Sequence, residues 1–173
     1  MRSTIFFATL ILGAQAHNAS AEVIDADKHG FTLVNEVVVD ATRAEAWSAA
    51  VDDVAGWWNA DHTISGDSRL LSIDPRPLGC FCESTGDGVV HLIVTTASQD
   101  VILRMTGGLG PLGLMGVNGN MTWEFFDDEG GTRIRFTYAV GGYSPDGLDT
   151  IAGGVDYVIA EALSLLKDYI DGG

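Results

Sequence analysis

The stretch "LDTIAGGVDYVIAEALSLLKDYI" (Leu148–Ile170) decides how the rest of the chain is read. Ile151, Val155, Ile159, Ala162 and Leu166 recur at helical spacing and fall on one face. Asp149, Asp156, Glu161, Ser164, Lys167 and Asp168 fall mostly on the other. A long amphipathic helix with a polar outer side is the reading. Its apolar face demands a partner surface. Gly153 and Gly154 interrupt it at a cost of about 1 kcal/mol each relative to alanine. That cost predicts either a close approach of helix to sheet or space kept for a ligand.

The partner surface lies upstream. From Ser68 to Val140 the pattern is of short strands broken by turn residues. "MTWEFF" puts Met121, Trp123 and Phe125 on one face, and "RIRFTYAV" does the same with Ile134, Phe136, Tyr138 and Val140. "DDEGG" (Asp127–Gly131) and "TGDG" (Thr85–Gly88) read as hairpin loops. Before them, "FTLVNEVVVD" (Phe31–Asp40) alternates as a strand. "TRAEAWSAAVDDVAGWW" then opens with Thr42 and Glu45 at capping-box spacing and predicts a helix ending at Trp57–Trp58. The order is strand, helix, six strands, long helix. It predicts an α+β domain over residues 22–173, in which a curved antiparallel sheet of about seven strands wraps the C-terminal helix. A sheet bent round a helix leaves an apolar hollow.

Residues 1–21 carry an address. Arg2 precedes the apolar run "IFFATLILGAQA" (Ile5–Ala16), and "ASA" (Ala19–Ala21) is a small-x-small cleavage pattern. The expectation is a signal peptide cut after Ala21, with export to the periplasm or the medium. The apolar run is too short for a bilayer, which needs about 20 residues, so no stable membrane span is expected. Cleavage removes one of the 9 basic residues and none of the 24 acids, giving 8 − 24 = −16. No basic cluster stands ready to neutralise phosphate, which argues against nucleic acid as a partner.

These elements resemble the START/SRPBCC superfamily, the helix-grip fold of polyketide cyclases, birch-pollen-type allergens, lipid-transfer domains and Hsp90-ATPase activators. The resemblance covers about residues 30–171. It rests on "EAWSAAVDDVAGWW", "GCFCE", "GGLGPLGLMGVNG" and the terminal helix. It implies a ligand cavity between sheet and helix and no cofactor; it does not fix a reaction. An Hsp90-activator role conflicts with export, since that chaperone is cytosolic.

The chain's two cysteines, Cys80 and Cys82, stand one residue apart. On a strand, positions i and i+2 lie about 6.6 Å apart, too far for a disulfide without distortion. The spacing therefore predicts two unbridged thiols packed as small apolar groups. A strained bridge in an oxidising compartment is the alternative. A zinc site from Cys80, Cys82, His62 and His91 lacks the knuckle spacing, and no metal is expected.

Glu83 and His91 face each other across the "TGDG" hairpin in one register, whereas a one-residue slip puts Cys82 opposite His91. Their union is an ordinary cross-strand polar pair on a wetted face or, in a cyclase or dehydratase, a proton-transfer pair. No third catalytic group supports the second reading. The glycine-rich loop Gly107–Asn120 has no lysine, so a phosphate loop is excluded; its leucines predict a lid or a core-capping turn. The function expected is binding of a hydrophobic or amphipathic small molecule, such as a lipid, polyketide or aromatic metabolite. Trp58, His62, Met105, Trp123 and Tyr138 are the expected contacts, with Glu83 and His91 as the polar handle.

Overall fold

The computed structural model describes residues 20–172. The expected export signal over residues 1–21 therefore lies outside it, apart from Ser20 and Ala21. Eight strands form one antiparallel sheet in the order β1-β2-β8-β7-β6-β5-β4-β3. They are β1 Ser20–Asp27, β2 Gly30–Val39, β3 Leu71–Ile73, β4 Cys80–Glu83, β5 Val89–Ser98, β6 Ile102–Gly107, β7 Gly116–Asp128 and β8 Gly131–Tyr143. The sequence predicts seven of these. The eighth, β1, is an edge strand whose "SAEVIDAD" carries three acids and little alternation. Edge strands need no inward apolar row on both neighbours, and charge there discourages further pairing.

Between β2 and β3 the chain makes helix α1 (Arg43–Trp47), a π-helical turn (Ser48–Asp52) and helix α2 (Val54–Trp57). The capping box is present: Glu45 N–H donates to Thr42 Oγ1 at 3.3 Å, and Thr42 N–H to Glu45 Oε2 at 2.9 Å. The expected single helix is thus three pieces, with the wide turn shifting the face that Trp57 and Trp58 present. Both tryptophans are buried.

The long helix α3 runs Asp149–Asp171 and lies against the inner face of β1 and β2. Alternation along β7 and β8 is as read: Met121, Trp123, Phe125, Ile134, Phe136, Tyr138 and Val140 are all buried. Trp123 stacks on Phe136 with ring centroids 4.2 Å apart. Around them Trp47, Trp57, Trp58 and Phe81 complete an aromatic core. The outer face carries the charges, where Arg133 and Arg135 both pair with Glu36.

Ala152, Ile159, Ala162, Leu163 and Leu166 are the α3 side chains buried in this core. Ile151, Val155 and Val158 are only half-buried. The apolar face of α3 is therefore wider than the sheet covers, and its surplus stripe belongs to the first half of the helix.

Candidate functional site

The surplus stripe borders a cavity of about 540 Å³. Three walls make it. Ile151, Gly154, Val155, Val158 and Ile159 come from α3; Leu109–Leu112 and Met115 come from the glycine-rich loop; Trp58 and residues 61–64 come from the turn after α2. The size falls within the range of small-molecule sites. The loop is both a core cap and a wall. Leu112 is buried in a short 3₁₀ helix (Gly110–Leu114), while Leu114 is 90% exposed.

Gly153 and Gly154 resolve in favour of space. A Cβ built at either meets no heavy atom within 4 Å, so no close helix–sheet contact requires them. Gly153→Ala should raise stability by about 1 kcal/mol, through helix propensity alone. Urea unfolding at neutral pH measures it; no gain would mean that position 153 is constrained by something other than backbone entropy.

Of the expected contacts, Trp58 and His62 line the cavity. Met105, Trp123 and Tyr138 do not. All three are at most 1% exposed and packed in the solid core, because the sheet's concavity is filled by aromatic rings where they sit. Tyr138 nevertheless acts on the site. Its hydroxyl donates to Gly107 O and accepts from Leu109 N–H, both at 3.1 Å, which pins the start of the wall loop. Burial pushes its phenol above the ordinary tyrosine range. Gly119 allows this placement, since a Cβ there would lie 2.4 Å from the Tyr138 ring.

Glu83 and His91 do meet, by a different geometry from either expected register. Glu83 pairs with Val89, and Cys82 with Val90; Phe81 then pairs with Leu92. His91 is the extra residue of a β-bulge. It reaches Glu83 diagonally, with Nε2 2.8 Å from Oε1. Nor is the face wetted: Glu83 is 1% and His91 5% exposed. The Glu83 carboxylate also accepts the backbone N–H groups of Ile64 at 2.7 Å and Ser65 at 2.9 Å. His91 Nδ1 accepts the N–H of Gly110 at 3.3 Å, so Nε2 carries the proton that goes to Glu83. Burial raises the Glu83 carboxyl, but the donors from Ile64, Ser65 and His91 more than offset it and hold it below the usual glutamate range.

The chemistry of this pair is mechanical. Glu83 grips the turn bearing Ile64, and His91 grips the loop bearing Gly110; both segments are cavity walls. Neither Glu83 nor His91 lines the cavity. Both ring nitrogens and both carboxylate oxygens are engaged with each other or with the wall segments.

The cysteines correct the sequence reading. Cys80 and Cys82 are joined by a disulfide, with Cα atoms 5.5 Å apart rather than the 6.6 Å of a flat strand. The chain shortens opposite the bulge, which brings the pair to the commonest Cα separation of disulfides, about 5.5–6 Å. With both sulfurs committed to each other, the zinc alternative lapses. Among the described residues no group of three or more His, Cys, Asp or Glu could hold a metal. None of the described helices is long and apolar enough to cross a membrane.

At the cavity mouth, His62 Nε2 lies 2.8 Å from Glu161 Oε2, and Asn59 donates to the same oxygen at 3.0 Å. The Asn59 amide holds the Glu161 carboxyl below its ordinary range against a smaller push from burial, and His62 assists. The sequence did not single out Glu161 or the α3 stripe for the site. The available signal was the excess width of that stripe.

No protein-family model matches the chain, and no curated protein matches it. Solved structures do. An uncharacterized protein from Rhizobium leguminosarum superposes with a TM-score of 0.61 at 18% identity, over 90% of this chain and 99% of that one. Protein MLL2253 from Mesorhizobium loti gives 0.58 at 19%, over 82% and 97%. Ara h 8.0201 gives 0.58 at 13%, over 83% and 99%. At these identities the likeness is one of fold: an antiparallel sheet with a C-terminal helix laid across it, the helix-grip arrangement.

Proposed function

We propose that this chain is an exported binding protein of the START/SRPBCC kind, which holds a hydrophobic or amphipathic small molecule. The observation that carries the reading is the cavity of about 540 Å³ beside α3, where Ile151, Val155 and Val158 are only half-buried among the described residues. Folded chains rarely leave such a stripe bare without use. Affinity would come from apolar area removed from water, at about 25 cal/mol per Å² before ordering costs. The Cys80–Cys82 disulfide supports export, since such bonds persist in oxidising compartments. A cyclase or dehydratase working through Glu83 and His91 has no observation in its favour, because the pair is turned to the wall loops.

Gly154→Leu tests this directly. The new side chain projects into the mouth where nothing opposes it, so the fold is retained or slightly stabilised. Native mass spectrometry of protein purified from its own host should show a co-purifying small molecule on the wild type. The variant should carry at least tenfold less. Equal loading would place the ligand elsewhere and end the proposal.

A further inference from the structure

We propose that the cavity takes a cationic amphiphile, an alkyl or aryl ammonium whose tail lies along α3 and whose charge rests at the Asp61 end. The inference rests on the binding reading above and concerns which molecule the site selects. Apart from His62, the one ionisable residue in the cavity wall among the described residues is Asp61. Its carboxylate has no hydrogen-bond or ion-pair partner among the described residues, unlike Asp67, Asp74 and Glu161 nearby in the chain or at the rim. Glu161 stands directly behind His62 and adds a second negative group.

Among the described residues no lysine or arginine lines the cavity. Several described cations pair with acids away from it: Arg43 with Asp127, Arg133 and Arg135 with Glu36, Lys167 with Asp171. A carboxylate or phosphate head would therefore enter an acidic mouth on a chain of net charge −15, with no lysine or arginine of the described wall to neutralise it. The positive end of α3 also borders the site at Thr150 and Ile151, but Asp149 in its first turn offsets it. An ammonium meets the opposite field. Trp58, an aromatic ring in the same wall, suits a methylated ammonium further.

Three probes of one tail length decide the matter: dodecyltrimethylammonium, dodecanol and dodecanoate, each kept below its micellar concentration. Binding to the full-length protein is read by calorimetry at low salt. The ammonium should bind about tenfold more tightly than the carboxylate, with the alcohol between them, as expected for one charge pair near a wetted rim. Asp61→Asn should shrink the ammonium-to-carboxylate ratio about fivefold while leaving dodecanol unchanged. Glu129→Gln, which removes an acid from the β7–β8 hairpin, should leave the ratio alone. Equal or tighter binding of the carboxylate overturns the proposal and leaves the cavity reading standing. So does a Glu129→Gln effect as large as that of Asp61→Asn, which would mean diffuse charge attraction. Binding of none of the three overturns the cavity reading itself.

Discussion

Glu83→Ala is expected to lower the unfolding free energy by about 3 kcal/mol, since a buried donor left without its acceptor costs about 1–3 kcal/mol and this carboxylate serves three donors. The partner left behind is His91, whose Nδ1 accepts from Gly110 and whose Nε2 carries the proton. What it keeps is an orphaned Nε2–H, together with the bare amides of Ile64 and Ser65. Ile64 is exposed, so its amide can recover water when the turn loosens, which limits the loss further. Glu83→Gln retains the shape but turns one acceptor into a donor facing an N–H, and should cost about 1–2 kcal/mol.

The pH dependence follows from the lowered carboxyl of Glu83. A group whose folded pKa lies below its unfolded value contributes stability that is fully present above the unfolded pKa. That contribution is lost as pH falls through the folded one. Wild-type protein should therefore lose part of its stability on acidification below the ordinary glutamate range, and Glu83→Gln should lose less over the same interval. Urea melts at pH 7 and at acid pH check this, with hydrogen exchange at Ile64, Ser65 and Gly110 as the local readout. Unchanged exchange at those three amides in Glu83→Ala would show that the pair does not hold the walls.

The same region shows where sequence reading stops. The C-terminal helix was legible to within a residue at each end, because 3.6-residue periodicity persists over six turns and dominates any local exception. The alternation of Met121–Phe125 and Ile134–Val140 was legible for the same reason at period two. The Thr42–Glu45 box was legible as a local hydrogen-bond pattern. A bulge is a single-residue event, and His91 and Leu92 lie buried side by side where strict alternation forbids it. No periodicity announces that. The disulfide stood only as the alternative for a related reason, since the 5.5 Å approach of Cys80 and Cys82 departs from flat-strand spacing on β4, the strand that faces the bulge. The cavity was expected between the sheet and the C-terminal helix, lined by Trp58, His62, Met105, Trp123 and Tyr138. It lies at one end, because the ring-rich centre fills itself and the aliphatic half of α3 does not. Deciding between those needed side-chain volumes summed across eight strands, which no local pattern carries.

The separation of core from cavity gives the other large effect. Trp123→Ala should cost about 3–5 kcal/mol, the range for deleting a buried large aromatic. Trp123 is fully buried, stacked on Phe136 and close to Trp57 and Phe81. Against a total of roughly 5–15 kcal/mol for a domain, that leaves a protein folded only marginally at 25 °C. Yet its indole Nε1 is buried without a hydrogen-bond partner among the described residues. Trp123→Phe removes that orphaned donor along with the extra ring, and the two effects oppose. The loss of volume destabilises, whereas removal of an unpaired buried N–H relieves about 1–3 kcal/mol. Trp123→Phe should therefore fall within about 1 kcal/mol of wild type, far nearer than its volume change alone implies. Since Trp123 does not touch the cavity, folded Trp123→Phe should bind dodecyltrimethylammonium within twofold of wild type, whereas Gly154→Leu, as stable or more so, should not. Thermal melts and calorimetry on the two variants side by side separate these expectations. A Trp123→Phe protein that keeps its stability but loses binding would move the ligand from the α3 end into the aromatic centre, and with it the whole assignment of the walls.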